Sequence, residues 1–548
     1  MDIAFPGCHV ANIATMYRAA LGTFWNMTMP VCGCAVSRAL PVIALALTGF
    51  LAFAPAAHPA ETVTIGDLVF VNKALVGVGR LPSDLRDKFG ETFGSGSAIA
   101  VDTKSWVRTP AGYQGTFYML PDRGHNTEGT RDYRARINKL SITFRPLDDP
   151  TAVPVAERQR SVEATLVDTI LLTDAAGASL TALDPDGIRR AANGFPDLPQ
   201  AANGRVSIDS ESLAPLQDGS FFIGDEYGPY VYRFSPVGRM LAAIRPPDAF
   251  IPIRNGKEDF ASNNPGPGAP APQPPNPESG RQNNQGFEGL TLTPPGGKFL
   301  VTGLQSATRQ DGGTSLQTRR YARLLYYDIA DLQRPKLVRE HVVPLPMFET
   351  AGGQQQVAAQ SELLALDDTF FLILCRDADN GYGAAGATSR YRSIDLLDTS
   401  RATNIAGSRY DSTTPVAPGG KLVDGIVPAT LTRYIDINDT AELNKFGLHN
   451  GEPNDRNNLS EKWEGLALAP ALDPANPNDY FLFVSNDNDF ITQNGFMAGQ
   501  AYQDASGANV DTLVLVYRVT LPTYVPPRIG ERFEHVGRFF EHDHDGRH

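Results

Sequence analysis

Glutamates at recurring places are the residues of this sequence best suited to chemistry. Each of four begins a short pattern in which leucine follows two positions later, then an apolar run, then a polar or acidic stop. They are Glu211, Glu288, Glu362 and Glu464. A carboxylate at the head of a buried strand is costly unless a partner compensates it. The fourfold recurrence therefore predicts a radial repeat that points carboxylates at a common centre.

Acidic residues close three of these four patterns, and Asp122 closes a fifth, partial copy that lacks the leading glutamate. Carboxylates gathered at one end of a channel would repel one another without a cation. Oxygen ligands favour Ca²⁺ or Mg²⁺ over zinc, so the sequence predicts a divalent-cation site, with Ca²⁺ favoured. The predicted ligands are Glu211, Glu288, Glu362, Glu464, Asp122, Asp225, Asp377 and Asp487. Glu226, beside Asp225, is a further candidate.

Basic residues adjoin these acids. Arg123 and Arg376 can bind a phosphate or carboxylate through two parallel hydrogen bonds. His125 has the side chain whose ordinary pKa suits a general acid or base near neutral pH. Arg123, His125 and Arg376 are therefore the predicted catalytic residues. Because the sequence has no Gly-x-Ser-x-Gly motif, water activated by a metal fits these residues better than a serine nucleophile.

A structural interpretation of the same residues stays open. A glutamate at the repeat position can accept hydrogen bonds from backbone N–H groups of a neighbouring blade. The aspartates can be turn residues whose side chains accept hydrogen bonds from local backbone N–H groups. Arg123, Arg376 and Lys462 can simply neutralise neighbouring acids, and His125 can be a surface histidine.

The elements that must position these side chains are predicted to be short strands. Runs rich in aromatic and β-branched residues alternate with turns, in a chain that contains 51 Gly and 42 Pro. The glutamate copies lie further apart than the roughly 40–50 residues of a four-stranded blade, which indicates long insertions between strands. We predict an all-β fold, a β-propeller of six or seven blades, with a pair of β-sandwiches as the alternative. The best candidate for a helix is the segment 180–192.

The chain ends are predicted to lie outside this domain. Arg38, the apolar stretch 39–53 and the small residues after it are typical of an export signal. The predicted organisation is a removed signal peptide with an upstream extension at 1–60, a propeller at 61–525 with a proline-rich inserted loop at 263–284, and a tail at 526–548. An annotated start that is too early would explain the long segment before Arg38. The protein is then exported, periplasmic or extracellular, with no stable membrane span after processing.

Cysteine content and charge narrow the possible functions. Removal of the signal region leaves Cys375 alone, within an apolar run, so we predict a buried structural thiol and no disulfide. The formal charge of −13 and the pI near 5.2 argue against nucleic acid or an anionic membrane as the main partner. A small-molecule substrate and a monomeric protein are expected.

Several segments together resemble the phytase-like family, whose description is "esterase-like activity of phytase". The resemblance rests on Leu120–Gly124, Asp209–Leu213, Phe222–Gly228, Gln285–Leu290 and Trp463–Leu466, and it covers about 63–521. It implies a β-propeller and hydrolysis of a phosphoester or related ester, which we expect to depend on a divalent cation. A non-catalytic ligand-binding propeller and a metal-dependent lactonase are the alternatives.

Overall fold

The computed structural model describes residues 60–125 and 129–526, which are mostly β-structure. The all-β prediction is confirmed at this level. The predicted signal region and the C-terminal tail lie almost entirely outside the described residues. No described helix is both long and apolar enough to span a membrane.

The strands of the first half of the chain are short and are bounded by turns. They are β1 (Glu61–Ile65), β2 (Leu68–Leu81), β3 (Ala98–Thr109), β4 (Gly112–Leu120), β5 (Arg136–Phe144), β6 (Val162–Leu171), β7 (Gly187–Arg189), β8 (Leu198–Gln200), β9 (Ser210–Pro215), β10 (Phe221–Asp225), β11 (Val231–Phe234), β12 (Met240–Ile244), β13 (Ile253–Arg254) and β14 (Lys257–Glu258).

The second half continues in the same way. Its strands are β15 (Phe287–Leu292), β16 (Phe299–Leu304), β17 (Tyr321–Asp328), β18 (Lys336–Pro344), β19 (Met347–Glu349), β20 (Gln355–Val357), β21 (Ala359–Ala365), β22 (Phe370–Arg376), β23 (Arg392–Asp398), β24 (Thr430–Asp436), β25 (Trp463–Pro470), β26 (Asp479–Asn486), β27 (Gly495–Met497), β28 (Gln500–Tyr502) and β29 (Thr512–Thr520). The described α-helices are α1 (Val155–Arg158) and α2 (Thr440–Lys445), and the 3₁₀ turns are Pro150–Ala152, Asp248–Phe250, Arg309–Asp311, Arg409–Asp411 and Pro418–Gly420.

The longer strands form five four-stranded antiparallel units within the described residues. Unit 1 contains β3–β6, unit 2 β9–β12, unit 3 β15–β18 and unit 4 β21–β24. Unit 5 contains β25, β26, β29 and β2, so an N-terminal strand completes the C-terminal sheet. The predicted count of six or seven blades is not confirmed.

Neighbouring units pack face to face. The first strand of each unit contacts the first strands of two others, in the order β3, β9, β15, β21, β25 and back to β3. Five buried apolar clusters lie between the same pairs of units. Along β22, for example, Phe371 and Ile373 contribute to the core shared with unit 3, whereas Leu372 and Leu374 contribute to the core shared with unit 5. Successive side chains of a strand point to opposite faces, so a sheet covered on both sides reads as a continuous apolar run.

Three smaller predictions have clear outcomes. Cys375 is a free, buried thiol in the core between units 3 and 4, as predicted. The proline-rich segment 263–284 lies between β14 and β15 and contains no strand of its own. The helix predicted at 180–192 is wrong, because this segment contains β7, which pairs with β8.

Candidate functional site

Antiparallel pairing explains why the acidic residues meet. In such a pair, the start of the first strand lies beside the end of the second, as Ala98 beside Leu120 shows in unit 1. In each of the five units these two positions lie side by side. We call the charged residues there the acidic cluster: Asp122 and Arg123 from unit 1, Asp209, Glu211 and Glu226 from unit 2, Glu288 from unit 3, Arg376 from unit 4, and Lys462, Glu464, Asp487 and Asp489 from unit 5.

Lys462 connects units 1 and 5 within the cluster. Its Nζ lies 2.8 Å from Oδ2 of both Asp122 and Asp487. It also lies 3.7 Å from Oδ1 of Asp489 and 3.8 Å from Oε1 of Glu464. Burial lowers the pKa of Lys462, but these four carboxylates raise it more, so that the net pKa lies well above the usual value. These contacts favour the charged form of Lys462, whose side chain is 16% exposed.

The two predicted catalytic arginines are engaged by buried acids. Arg376 Nη2 lies 2.6 Å from Glu464 Oε1. Arg123 Nε lies 3.4 Å from Asp209 Oδ2, its backbone N–H donates to Asp209 Oδ1 at 3.1 Å, and its guanidinium lies over the Tyr227 ring. Neutralisation, the alternative interpretation of these arginines, is thus what the contacts show. Their direct catalytic role stays a prediction.

Glu211 differs from every other acid of the cluster in its contacts. It is only 4% exposed, yet its carboxylate has no hydrogen bond or ion pair to any described residue. Burial raises the pKa of Glu211 well above its usual range, and Glu288, Asp209 and Glu226 raise it further. An uncompensated buried carboxyl of this kind either stays protonated or binds a cation.

Carboxylate oxygens are grouped at cation-binding distances in two places. One oxygen each of Asp122, Asp209 and Glu211 lie within 4.8 Å of one another, and the same holds for Asp122, Asp487 and Asp489. Oxygens of neighbouring acids are buried without a hydrogen-bond donor in the described chain: Asp209 Oδ2, Glu288 Oε2, Glu464 Oε2 and Asp487 Oδ1. Oxygen-only donors with unused lone pairs fit a hard cation such as Ca²⁺ or Mg²⁺. The residues present therefore fit the predicted metal.

A β-bulge presents the glutamates to this centre. The strand register shifts at Glu211, Glu288 and Glu464, so that each is the extra residue of its strand. In unit 4 the extra residue is Ser361 instead, one position before Glu362. A bulge re-aims the side chain it carries. This shift separates Glu362 from the other three glutamates.

Glu362 is a structural acceptor. Its Oε1 accepts the backbone N–H of Leu290, in unit 3, at 3.1 Å and that of Leu363 at 2.8 Å. It thereby ties unit 4 to unit 3, as the alternative interpretation of these glutamates predicted. Its predicted place among the metal ligands has no support from these contacts.

Asp225 and Asp377 are turn residues. Asp225 accepts the backbone N–H groups of Asp209, Tyr227 and Gly228 at 2.9–3.0 Å. Asp377 accepts Ser389 Oγ–H and Arg390 N–H, both at 2.7 Å. Both carboxylates thus accept local hydrogen bonds, and their role as metal ligands stays a prediction.

His125 is buried beside the cluster rather than on the surface. Its ring lies 4.6 Å from that of Tyr502 and 6.0 Å from that of Phe490, measured between centroids. Its backbone φ is 52°, which is uncommon for a residue other than glycine. Its role as general acid or base stays a prediction.

The sequence alone missed two ligand-type residues. Asp209 stands two positions before Glu211, and Asp489 stands two positions after Asp487. Their position two residues from a predicted ligand is the sequence signal that could have identified them. Lys462, Asp489 and Glu461 are the most solvent-exposed side chains around the cluster, at 14–27%. Solvent therefore reaches the cluster on the unit 5 side.

Comparison with known proteins shows the family of this chain. The model of the phytase-like family, described as esterase-like activity of phytase, matches residues 91–490. The chain belongs to this phytase-like family. An "uncharacterized secreted protein" of Arthroderma benhamiae is 41% identical over 476 residues, which cover 80% of this chain and 92% of the relative. The description of this phytase-like relative as secreted agrees with the predicted export.

Solved structures share only a distant likeness with this phytase-like chain. A luciferin-regenerating enzyme has a TM-score of 0.28 at 9% identity and covers 82% of this chain and 98% of its own. The calcium-binding protein regucalcin of Agrobacterium tumefaciens has a TM-score of 0.25 at 9% identity and covers 83% and 98%. Likeness at this level carries no argument about the site.

Proposed function

We propose that this phytase-like protein is an exported hydrolase of ester bonds that depends on a divalent cation, Ca²⁺ in the first instance. One observation carries the proposal: Glu211 is a buried carboxylate with no partner in the described chain, beside Asp122 and Asp209. An unpartnered buried charge is expensive, and such groups cluster where a protein binds ligands.

Each part of the cluster has a distinct task in this proposal. Asp122, Asp209 and Glu211 would hold the ion. When bound, the ion would supply Lewis-acid polarisation of the ester and a lowered pKa of water. Lys462 and Arg376 pair with neighbouring carboxylates and hold them in place. His125 is the proposed group that takes up or gives a proton.

A phosphoester is the substrate class to be tested first. The substrate would enter from the unit 5 side, where the Lys462 ammonium is partly exposed. A cation at the entrance favours an anionic group over a neutral one. We further propose that the substrate is a small molecule and that the protein is a monomer.

A lactone is the second candidate, because acids outnumber bases in the cluster. Eight carboxylates face three cationic side chains, and Arg281 near Glu226 adds only one more positive charge. One divalent ion leaves an excess of negative charge, unless carboxyls stay protonated. A neutral ester would meet less repulsion there than a phosphate dianion.

The architecture is also part of the proposal. We infer that the five units form one closed ring, a five-bladed β-propeller. The cyclic order of first-strand contacts and the five apolar clusters between neighbouring units support this inference. Radial repetition of this kind protects sheet edges and leaves a central channel.

A substrate panel with and without chelator tests the function. Purified protein is assayed on p-nitrophenyl phosphate, p-nitrophenyl acetate and a δ-lactone, first with Ca²⁺ and then with EDTA. We expect turnover that EDTA abolishes, that Glu211→Gln reduces at least tenfold, and that Glu362→Gln retains. Lactone turnover without phosphatase activity selects the second candidate. No turnover on any ester, with Ca²⁺ still bound, contradicts hydrolysis and leaves a ligand-binding propeller.

A further inference from the structure

Asp122 belongs to two overlapping groups of acids, and each group resembles a cation site. The first contains Asp209 and Glu211, and the second contains Asp487 and Asp489. If both groups bound metal, two divalent ions would share the Asp122 carboxylate. The number of ions bound therefore depends on what else lies in each group.

The second group already holds a cation of the chain itself. Lys462 Nζ lies 2.8 Å from oxygens of Asp122 and Asp487 and 3.7 Å from Asp489. These are the contacts of an ammonium at the centre of three carboxylates. A metal ion in the same group would lie within a few ångströms of this ammonium, in a buried setting where repulsion between like charges is strong.

The first group is not satisfied in this way. Glu211 has no hydrogen bond or ion pair among the described residues, although it is buried. Arg123 contacts Asp209 with its Nε at 3.4 Å and its backbone N–H at 3.1 Å. Glu211 is thus the acid without such a contact, and Lys462 reaches the first group only through the shared Asp122.

We infer that Lys462 is a tethered substitute for a second metal ion, so that the cluster binds one divalent ion, at Asp122, Asp209 and Glu211. The inference rests on the proposed function, because it assumes that the cluster binds metal. It further implies that removal of the ammonium creates a second metal site at Asp122, Asp487 and Asp489.

Counting bound ions tests this inference separately from catalysis. Wild-type protein, Lys462→Met and Lys462→Arg are dialysed against Ca²⁺, and bound calcium is measured by mass spectrometry and by calorimetric titration. We expect one ion in wild type, two in Lys462→Met, and one in Lys462→Arg, which keeps the positive charge. Lys445→Met, which removes a lysine paired with Glu442 outside the cluster, should keep one ion.

The outcomes distinguish the two proposals. No ion in wild type contradicts the metal premise of the proposed function. Two ions in wild type, or one ion in folded Lys462→Met, contradict only the role of Lys462. If Lys462→Met does not fold, Asp487→Asn and Glu211→Gln decide which group holds the ion. We expect Asp487→Asn to keep it and Glu211→Gln to weaken it at least tenfold, and the reverse result overturns the inference.

Discussion

Two glutamates that share one sequence motif should respond differently to the same substitution. Glu211 is a buried carboxylate without a partner, whereas Glu362 accepts backbone N–H groups of Leu290 and Leu363. We expect Glu211→Gln to remove most of the stabilisation that Ca²⁺ gives. Glu362→Gln should leave that stabilisation unchanged while lowering stability with and without the ion.

The size of the effect follows from linkage. An ion at 100 times its Kd stabilises the folded state by about 2.7 kcal/mol. Unfolding entropy is about 2.1 cal/mol/K per residue, so for about 460 described residues this corresponds to a Tm rise of about 3 °C. A bond to a charged group contributes about 1.5–3 kcal/mol. Loss of the Glu211 ligand should therefore leave about half of this rise or less.

Differential scanning calorimetry of both variants, in EDTA and in Ca²⁺, is the assay. In EDTA, Glu211→Gln should be at least as stable as wild type, because the amide replaces a buried carboxyl that lacks a partner. Glu362→Gln is the matched control for loss of a buried glutamate. A full Tm rise in Glu211→Gln would refute the reasoning, as would loss of the rise in Glu362→Gln alone.

Three further predictions concern pH, packing and charge. In EDTA, Tm should fall as pH rises from about 5 to 8. Burial raises the pKa of cluster carboxyls (that of Glu226 to about 8), so the folded state holds more protons than the unfolded state in this range. Ca²⁺ should raise Tm more at pH 8 than at pH 5, and a Tm that does not change with pH would argue against buried carboxyls. In urea titrations, Gly96→Ala should lower the free energy of unfolding by about 1–3 kcal/mol more than Gly90→Ala. Both glycines have a positive φ, but of the two only Gly96 lies where an added Cβ would meet the backbone of unit 5. Equal losses in the two variants would contradict this. Arg376→Met should cost up to about 3–5 kcal/mol, because the buried Glu464 loses its closest partner and keeps Lys462 at 3.8 Å. Adding Glu464→Met should recover most of this loss, and additive losses in the cycle would contradict the pairing.

The repeat predicted the fold class but not its details. Glutamates at strand starts and acids at strand ends share one edge in any antiparallel pair, so their convergence followed from the pattern alone. The number of units did not, because long insertions separate the copies and β2 joins unit 5 from the other end of the chain. Nothing local in the sequence of β2 marks its distant partner.

The candidate site, like the fold, was predicted from the sequence only in part. Asp122, Glu211 and Asp487 were predicted ligands and lie in the two acid groups. Glu362 fits the sequence pattern equally well, but the bulge of its strand falls one residue earlier, at Ser361. A one-residue shift of register cannot be read from hydrophobic periodicity. The sequence related Lys462 to its neighbour Glu464, whereas its two 2.8 Å contacts are with Asp122 and Asp487, which are distant in sequence.

The central claim is that Asp122, Asp209 and Glu211 bind a divalent cation. A crystal structure of the protein grown with Ca²⁺, with anomalous scattering used to locate calcium, tests it most directly. We predict one calcium peak about 2.3–2.6 Å from oxygens of these three residues, with the Lys462 ammonium still between Asp122 and Asp487. No peak among these carboxylates at saturating Ca²⁺ would contradict the account.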